Sequence, residues 1–291
     1  MTQENKGLLF GFLGVLGFSQ SIPATHLAVA YLDPVFVGLG RGLCASVFAA
    51  LYLWYQRKPL PSPAQFKQLI GVAAGVVFGF PLFLSLAMRT IPASHGAVVV
   101  GLLPLATAVM GCLVSGERPS RGFWLTAALG TLLIVSYIYL QSNETPVWGD
   151  LILLGAVLSA AFGYAKGADL SKTLGGPHVI CWALVISIPL LCVPVAISLT
   201  RMTFQAPLGA WLGFAYTCLI SQLFAFFLWY RGLAIGGTAR VSQIQLTQPF
   251  LTMLGAILFL GESVRSSSLY FALAIVAMVV INKRMTVVVR S

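Results

Sequence analysis

Ser242, Gln245, Gln248, Pro249 and Thr252 could share one face of a helix. At about 100° per residue they fall within about a third of the circumference. Amides and hydroxyls in such a stripe can grip the polar head of a small solute. They can equally bond a neighbouring helix, an interaction worth about 0.6–2 kcal/mol per pair in a membrane. A second segment offers the corresponding positions Ala97, Val100, Leu103, Pro104 and Thr107, of which only Thr107 carries a polar side chain. A polar stripe opposite an apolar wall suits an amphipathic solute. Proline lacks an N–H and clashes with the carbonyl four residues back. Pro104 and Pro249 are therefore expected to bend their helices as hinges and to free the carbonyls of Val100 and Gln245.

Other residues could contribute. Ser19, Pro23 and His26 share a helical face. Ser19 is a candidate substrate contact and His26 a candidate proton site, because imidazole titrates near physiological pH. A single histidine near a helix end is more commonly a hydrogen-bonded packing residue. Gln222, Phe226 and Trp229 recur at helical spacing and, with Tyr164, could wall the apolar part of a solute. Arg41 is a basic residue inside an apolar run, where an ionisable group is a functional candidate by default, and it could attract an anionic group. Glu117 and Glu262 follow glycines at the ends of two apolar runs. Their expected role is structural: accepting N–H groups at the start of the next helix, where an anion is favoured.

Catalysis finds little support. The seven acids lie in tails or near helix ends, and neither HExxH nor a paired-acid motif is present. The five cysteines are scattered through apolar segments without metal-ligand spacing, so neither a metal nor another cofactor is expected. No Walker A motif occurs, which argues against transport driven by ATP bound to this chain.

These residues need elements to hold them. The 291-residue chain is 58% hydrophobic and 8% charged, too poor in charge to cover a water-soluble fold. Apolar runs stand at about 7–31, 34–55, 66–88, 93–115, 121–140, 147–169, 177–199, 207–231, 238–260 and 265–282, separated by proline and glycine signals. In hydrocarbon such runs must be helices, because every backbone polar group needs a partner within the structure. The first run has no cleavage signal after it and reads as a span, and the C-terminal residues carry no lipidation motif. The net charge of +10 is an orientation signal and not a nucleic-acid footprint. With the N-terminus in the cytoplasm, 13 of the 17 basic residues fall on the cytoplasmic side, Arg89, Arg201 and Arg265 fall on the other, and Arg41 lies within a span. Both termini are thus expected in the cytoplasm.

An offset of 145 carries Pro104 onto Pro249, Thr107 onto Thr252, Gly116 onto Gly261 and Glu117 onto Glu262. Two halves of five spans each, 1–144 and 145–291, would have opposite orientations in the membrane. Inverted repeats of this kind recur in secondary transporters, with the site near the midplane between them.

The segments Pro104 to Glu117 with Pro119, Pro249 to Glu262, and Pro34 with Arg41 resemble the drug/metabolite transporter superfamily, in particular its EamA-type permeases. The resemblance covers nearly the whole chain, although the first span reads Gly17-Phe18-Ser19-Gln20-Ser21 where the family often has a tryptophan. It implies an all-α membrane protein of ten transmembrane helices in a five-plus-five inverted repeat. It further implies a carrier in the cytoplasmic (inner) membrane that exports amino acids or related metabolites by alternating access. The expected partners are a small-molecule substrate and the lipid bilayer, without nucleic acid, and the chain could act as a monomer. A channel or membrane scaffold is the main alternative, and an intramembrane enzyme a more distant one.

Overall fold

A computed structural model describes residues 3–57, 59–115, 118–141, 147–202, 205–236, 242–283 and 287–288. The chain is helical nearly throughout. In order, the helices are α1 Gln3–Ser19, α2 Ser21–Val29, α3 Arg41–Tyr55, α4 Pro63–Val72, α5 Phe80–Ala87, α6 Ala93–Val100, α7 Leu103–Ser115, α8 Arg121–Gln141, α9 Val147–Leu174, α10 Gly176–Arg201, α11 Leu208–Tyr216, α12 Ala225–Gly236, α13 Gln248–Leu260 and α14 Ser266–Lys283. A short antiparallel pairing joins β1 Arg118–Pro119 to β2 Val287–Val288. Several helices run on from one another, so that Asn5–Val29, Phe36–Tyr55, Pro63–Ala87, Val147–Leu174, Gly176–Arg201 and Leu208–Gly232 are each long and apolar enough to cross a membrane. Shorter apolar helices cover Ala93–Thr107, Ile244–Leu260 and Ser266–Met278.

The surface is that of a protein in lipid. Phe48, Leu51, Leu190, Val193, Leu258 and Phe259 all point outward, and Leu258 and Phe259 are 67% and 66% exposed. Water would make such a surface aggregate; hydrocarbon solvates it. Trp54, Tyr55 and Trp148 are also exposed and lie close to helix ends, where amphipathic rings favour the membrane–water boundary.

Local signals set the helix ends. Asp33 Oδ1 accepts the N–H groups of Val35 and Phe36 at 2.9 and 3.1 Å, opening the segment that leads into α3. The same oxygen accepts the Ser198 hydroxyl at 2.6 Å, tying that helix start to α10. Ser62 and Gln65 form a reciprocal capping box before α4, with Pro63 in the first turn, where its missing N–H costs nothing. Gly175, with φ 83°, makes the reversal between α9 and α10. Gly261, with φ 67°, stops α13, and the Glu262 N–H closes the turn on Ala256 O at 3.2 Å.

Three π-helical segments occur among the described residues: Phe36–Gly40 before α3, Ala73–Gly79 between α4 and α5, and Thr217–Phe224 between α11 and α12. Segments of this kind shift the side chains that follow and leave backbone groups in need of partners. The offset of 145 that aligns the prolines also carries 73–79 onto 218–224, within the third segment. These two segments meet: Gln222 Nε2 donates to Val76 O at 3.0 Å.

Candidate functional site

Both prolines stand at irregular points of their apolar helices, Ala93–Thr107 and Ile244–Leu260. Pro104 is the second residue of α7, which starts after a break at Gly101–Leu102, and Pro249 is the second residue of α13, which follows the 3₁₀ segment Ser242–Thr247. The physical reason is the one that disfavours proline in mid-helix. In the first turn its absent N–H has no intrahelical partner to lose. Both helices are therefore interrupted. The interruptions touch, since a Cβ on Gly101 would stand 3.1 Å from Pro249 Cγ.

Within the polar stripe, Gln245 lies on the 3₁₀ segment and Gln248, Pro249 and Thr252 on α13; three-residue spacing keeps side chains on one side of a 3₁₀ turn, and all four residues are buried. Gln245 is buried and its Nε2 has no partner among the described residues. Gln248 is also buried. Thr252 donates to Ser19 O at 2.7 Å, and the Ser19 hydroxyl donates to Leu16 O at 2.8 Å, so both hydroxyls are engaged within the protein. Beside them Gln20 Nε2 donates to Leu251 O at 3.0 Å, while Gly255 leaves room for the Gln20 amide oxygen. On the facing broken helix Thr107 Oγ1 is buried without a partner among the described residues.

Arg41 stands at the start of α3, immediately after a π-helical segment, and is 1% exposed. Its Nη2 donates to Ser221 Oγ at 2.6 Å, and Ser221 also shares a 2.6 Å hydrogen bond with Ser21. Ser221 lies within the π-helical segment Thr217–Phe224, so two irregular segments aim this pair at each other. Gln222, the next residue, is fully buried; its Oε1 has no partner among the described residues, although its Nε2 holds Val76 O.

Tyr164 and Trp229 come together in an aromatic cluster with Phe18 and Phe226. Phe18 lies 4.9 Å from Phe226 and 6.3 Å from Trp229 between ring centroids, and Tyr164 lies 6.0 Å from Phe226. Trp229 Nε1 is buried without a partner. The composition of the chain did not single out Phe18. The polar residues around it in the first span are the visible signal.

His26 is half-buried near the end of α2, and its Nδ1 has no partner among the described residues. The closer acid–base contact is elsewhere. His95 Nε2 and Asp150 Oδ1 lie 2.6 Å apart, 5% and 0% exposed. The expectation that every acid lies only in tails or near helix ends hides this pair, because Asp150 opens α9 yet is fully enclosed by its neighbours. Tyr137 packs on His95 at 4.8 Å and bonds Ser268 at 3.1 Å.

Glu262 is structural, but its target is not the next helix in the chain. Its two carboxylate oxygens accept the N–H groups of Ala93 and Ser94, each at 2.9 Å, at the start of α6. The left-handed turn at Gly261 directs it there, which gives a physical meaning to the Gly-Glu pair. Glu117 lies outside the described residues.

The sequence model of the EamA-like transporter family matches residues 5–139 and again 147–283. The chain belongs to that family. It is 41% identical over 285 residues to the uncharacterized transporter YdeK of Bacillus subtilis (strain 168), covering 98% of this chain and 99% of the relative. The uncharacterized transporter YyaM of the same organism is 24% identical, with 84% of each chain covered. Protein PecM of Dickeya dadantii (strain 3937) is 24% identical, with 81% of this chain and 78% of the relative covered. One solved crystal structure shares the fold with a TM-score of 0.65 at 17% identity, over 96% of this chain and 98% of the other. The EamA-like protein is thus an all-helical, multi-pass membrane protein of a transporter family, whose fold has ten helices.

Proposed function

We propose that this EamA-like protein is a secondary carrier in the cytoplasmic (inner) membrane that exports small amphipathic metabolites, amino acids or similar solutes, by alternating access. The observation that carries this reading is the contact of two interrupted helices at Gly101 and Pro249. Interrupted helices free backbone and side-chain polar groups at membrane depth, where they persist only against protein or a polar cavity. Gln245 Nε2 and Thr107 Oγ1, on these helices, and Gln222 Oε1 are buried polar atoms without a partner among the described residues and so available to a solute. Gln248 is buried on the same broken helix as Gln245, and Tyr164, Trp229, Phe18 and Phe226 provide an apolar wall.

In this reading the halves 1–144 and 145–291 form an inverted repeat that pivots at the broken helices. The placement of 73–79 and 217–224 at the same offset supports it, as does the double family match. Both termini face the cytoplasm, as the distribution of basic residues favours. An ion gradient or the solute gradient drives the cycle, and the chain uses no nucleic acid, cofactor or catalytic chemistry.

Efflux from proteoliposomes containing the purified chain tests the proposal. At least one solute of an amino-acid and metabolite panel should leave faster than from protein-free liposomes. No acceleration for any member would count against transport. Sustained single-channel current would support a channel instead.

A further inference from the structure

Arg41 is a buried cation without an anionic partner among the described residues. Each described acid whose side chain is placed is engaged elsewhere. Asp33 caps Val35 and Phe36 and holds Ser198, Asp150 meets His95, Asp169 meets Lys172, and Glu262 holds Ala93 and Ser94. Among the described residues, Cys218 and Tyr164 are ionisable groups close to Arg41. A thiol and a phenol, with ordinary pKa values of about 8.5 and 10, supply no negative charge at neutral pH. Arg41 Nη2 is fixed by Ser221, while Nε and Nη1 are buried with no partner among the described residues. An isolated charge in such surroundings costs several kcal/mol, and a guanidinium has no neutral form to retreat to.

We propose that Arg41 binds the anionic head of the transported solute, and that this solute is a net monoanion: a carboxylate or sulfonate on an apolar body. The inference rests on the transporter reading and narrows its substrate class, away from zwitterionic amino acids and towards amphipathic monoanions. Charge balance selects the monoanion. A monoanion neutralises the site, so the loaded protein carries no uncompensated charge at membrane depth. A zwitterion leaves the Arg41 charge standing and brings an ammonium for which the described neighbourhood holds no carboxylate. A simple amine adds repulsion. Tyr164 connects the two parts of the site, since it lies within electrostatic reach of Arg41 and belongs to the ring cluster of Phe18, Phe226 and Trp229. The rings would receive the apolar body.

The test uses the purified full-length chain in detergent, in a gluconate buffer. Binding is followed by calorimetry and thermal shift with 3-phenylpropionate, benzenesulfonate, L-phenylalanine, phenethylamine and sodium chloride. The two organic monoanions should bind, and L-phenylalanine should bind at least tenfold more weakly, a difference of about 1.4 kcal/mol. Arg41→Gln should lose the anions by tenfold or more, and Arg41→Lys should keep part of the affinity because it keeps the charge. The ranking on the unsubstituted protein decides the matter even if Arg41→Gln does not fold. L-phenylalanine binding as tightly as 3-phenylpropionate would overturn the proposal. So would binding of chloride alone, failure of both organic anions, or unchanged anion affinity in a folded Arg41→Gln protein. Proteoliposome flux separates this from the wider reading: transport that ignores Arg41 sinks the charge inference alone, whereas anion binding without any transport sinks the carrier.

Discussion

Gly101 packs against Pro249, so that the break in one helix rests on the break in another. A Cβ at residue 101 would lie 3.1 Å from Pro249 Cγ and 2.9 Å from Val98 O. Gly101→Ala should already strain the contact, because the 2.9 Å neighbour is backbone and the 3.1 Å neighbour a rigid proline ring. Gly101→Leu should force the helices apart and reduce transport more than tenfold, at a cost in stability of about 1–3 kcal/mol from overpacking. Flux and melting temperature, measured on the same preparations, check this. Full transport in Gly101→Leu would show that the contact is dispensable.

The Glu262 carboxylate joins the end of α13 to the start of α6 through two charge-assisted hydrogen bonds. Glu262→Ala leaves those N–H groups unpaired and should destabilise the protein by about 2–4 kcal/mol, while Glu262→Gln, which keeps one acceptor, should cost less. Thermal or denaturant unfolding in a fixed detergent gives the comparison. Equal stability of Glu262→Ala and the unsubstituted protein would remove the clamp from the description.

Gln222 bridges two π-helical segments by donating to Val76 O. Gln222→Leu strands a buried carbonyl and should cost about 1–3 kcal/mol. Gln222→Glu should be costly as well, because a carboxylate cannot donate to that carbonyl when ionised. A Gln222→Leu protein as stable as the parent would mean that another group, water included, satisfies Val76.

The amides of the broken helix are testable separately. Replacing Gln245 and Gln248 by Leu should impair transport while leaving membrane expression intact. Unchanged transport would remove the proposed polar contact.

Composition and turn signals were enough to locate the helical segments, because an apolar run in lipid has one way to satisfy its backbone. The Gly-Glu pair was legible for a related reason, since a left-handed residue after an apolar run stops a helix. Its partner was not, because Ala93 and Glu262 meet through tertiary structure alone. Arg41 was visible as a charge inside a span, yet its contact with Ser221 depends on two π-helical segments that leave no period in the sequence. The prolines were legible as irregular points within their helices; that the two irregularities meet at Gly101 is a matter of tertiary packing. His95 and Asp150 escaped for the same reason, each unremarkable on its own helix and joined only in the fold.

Trans-stimulation tests the carrier most directly. Proteoliposomes preloaded with a transported solute should take up the labelled solute faster than empty ones, because a loaded site returns across the membrane more readily than an empty one. Uptake that is indifferent to preloading, with flux that rises linearly and does not saturate, would contradict alternating access through this site.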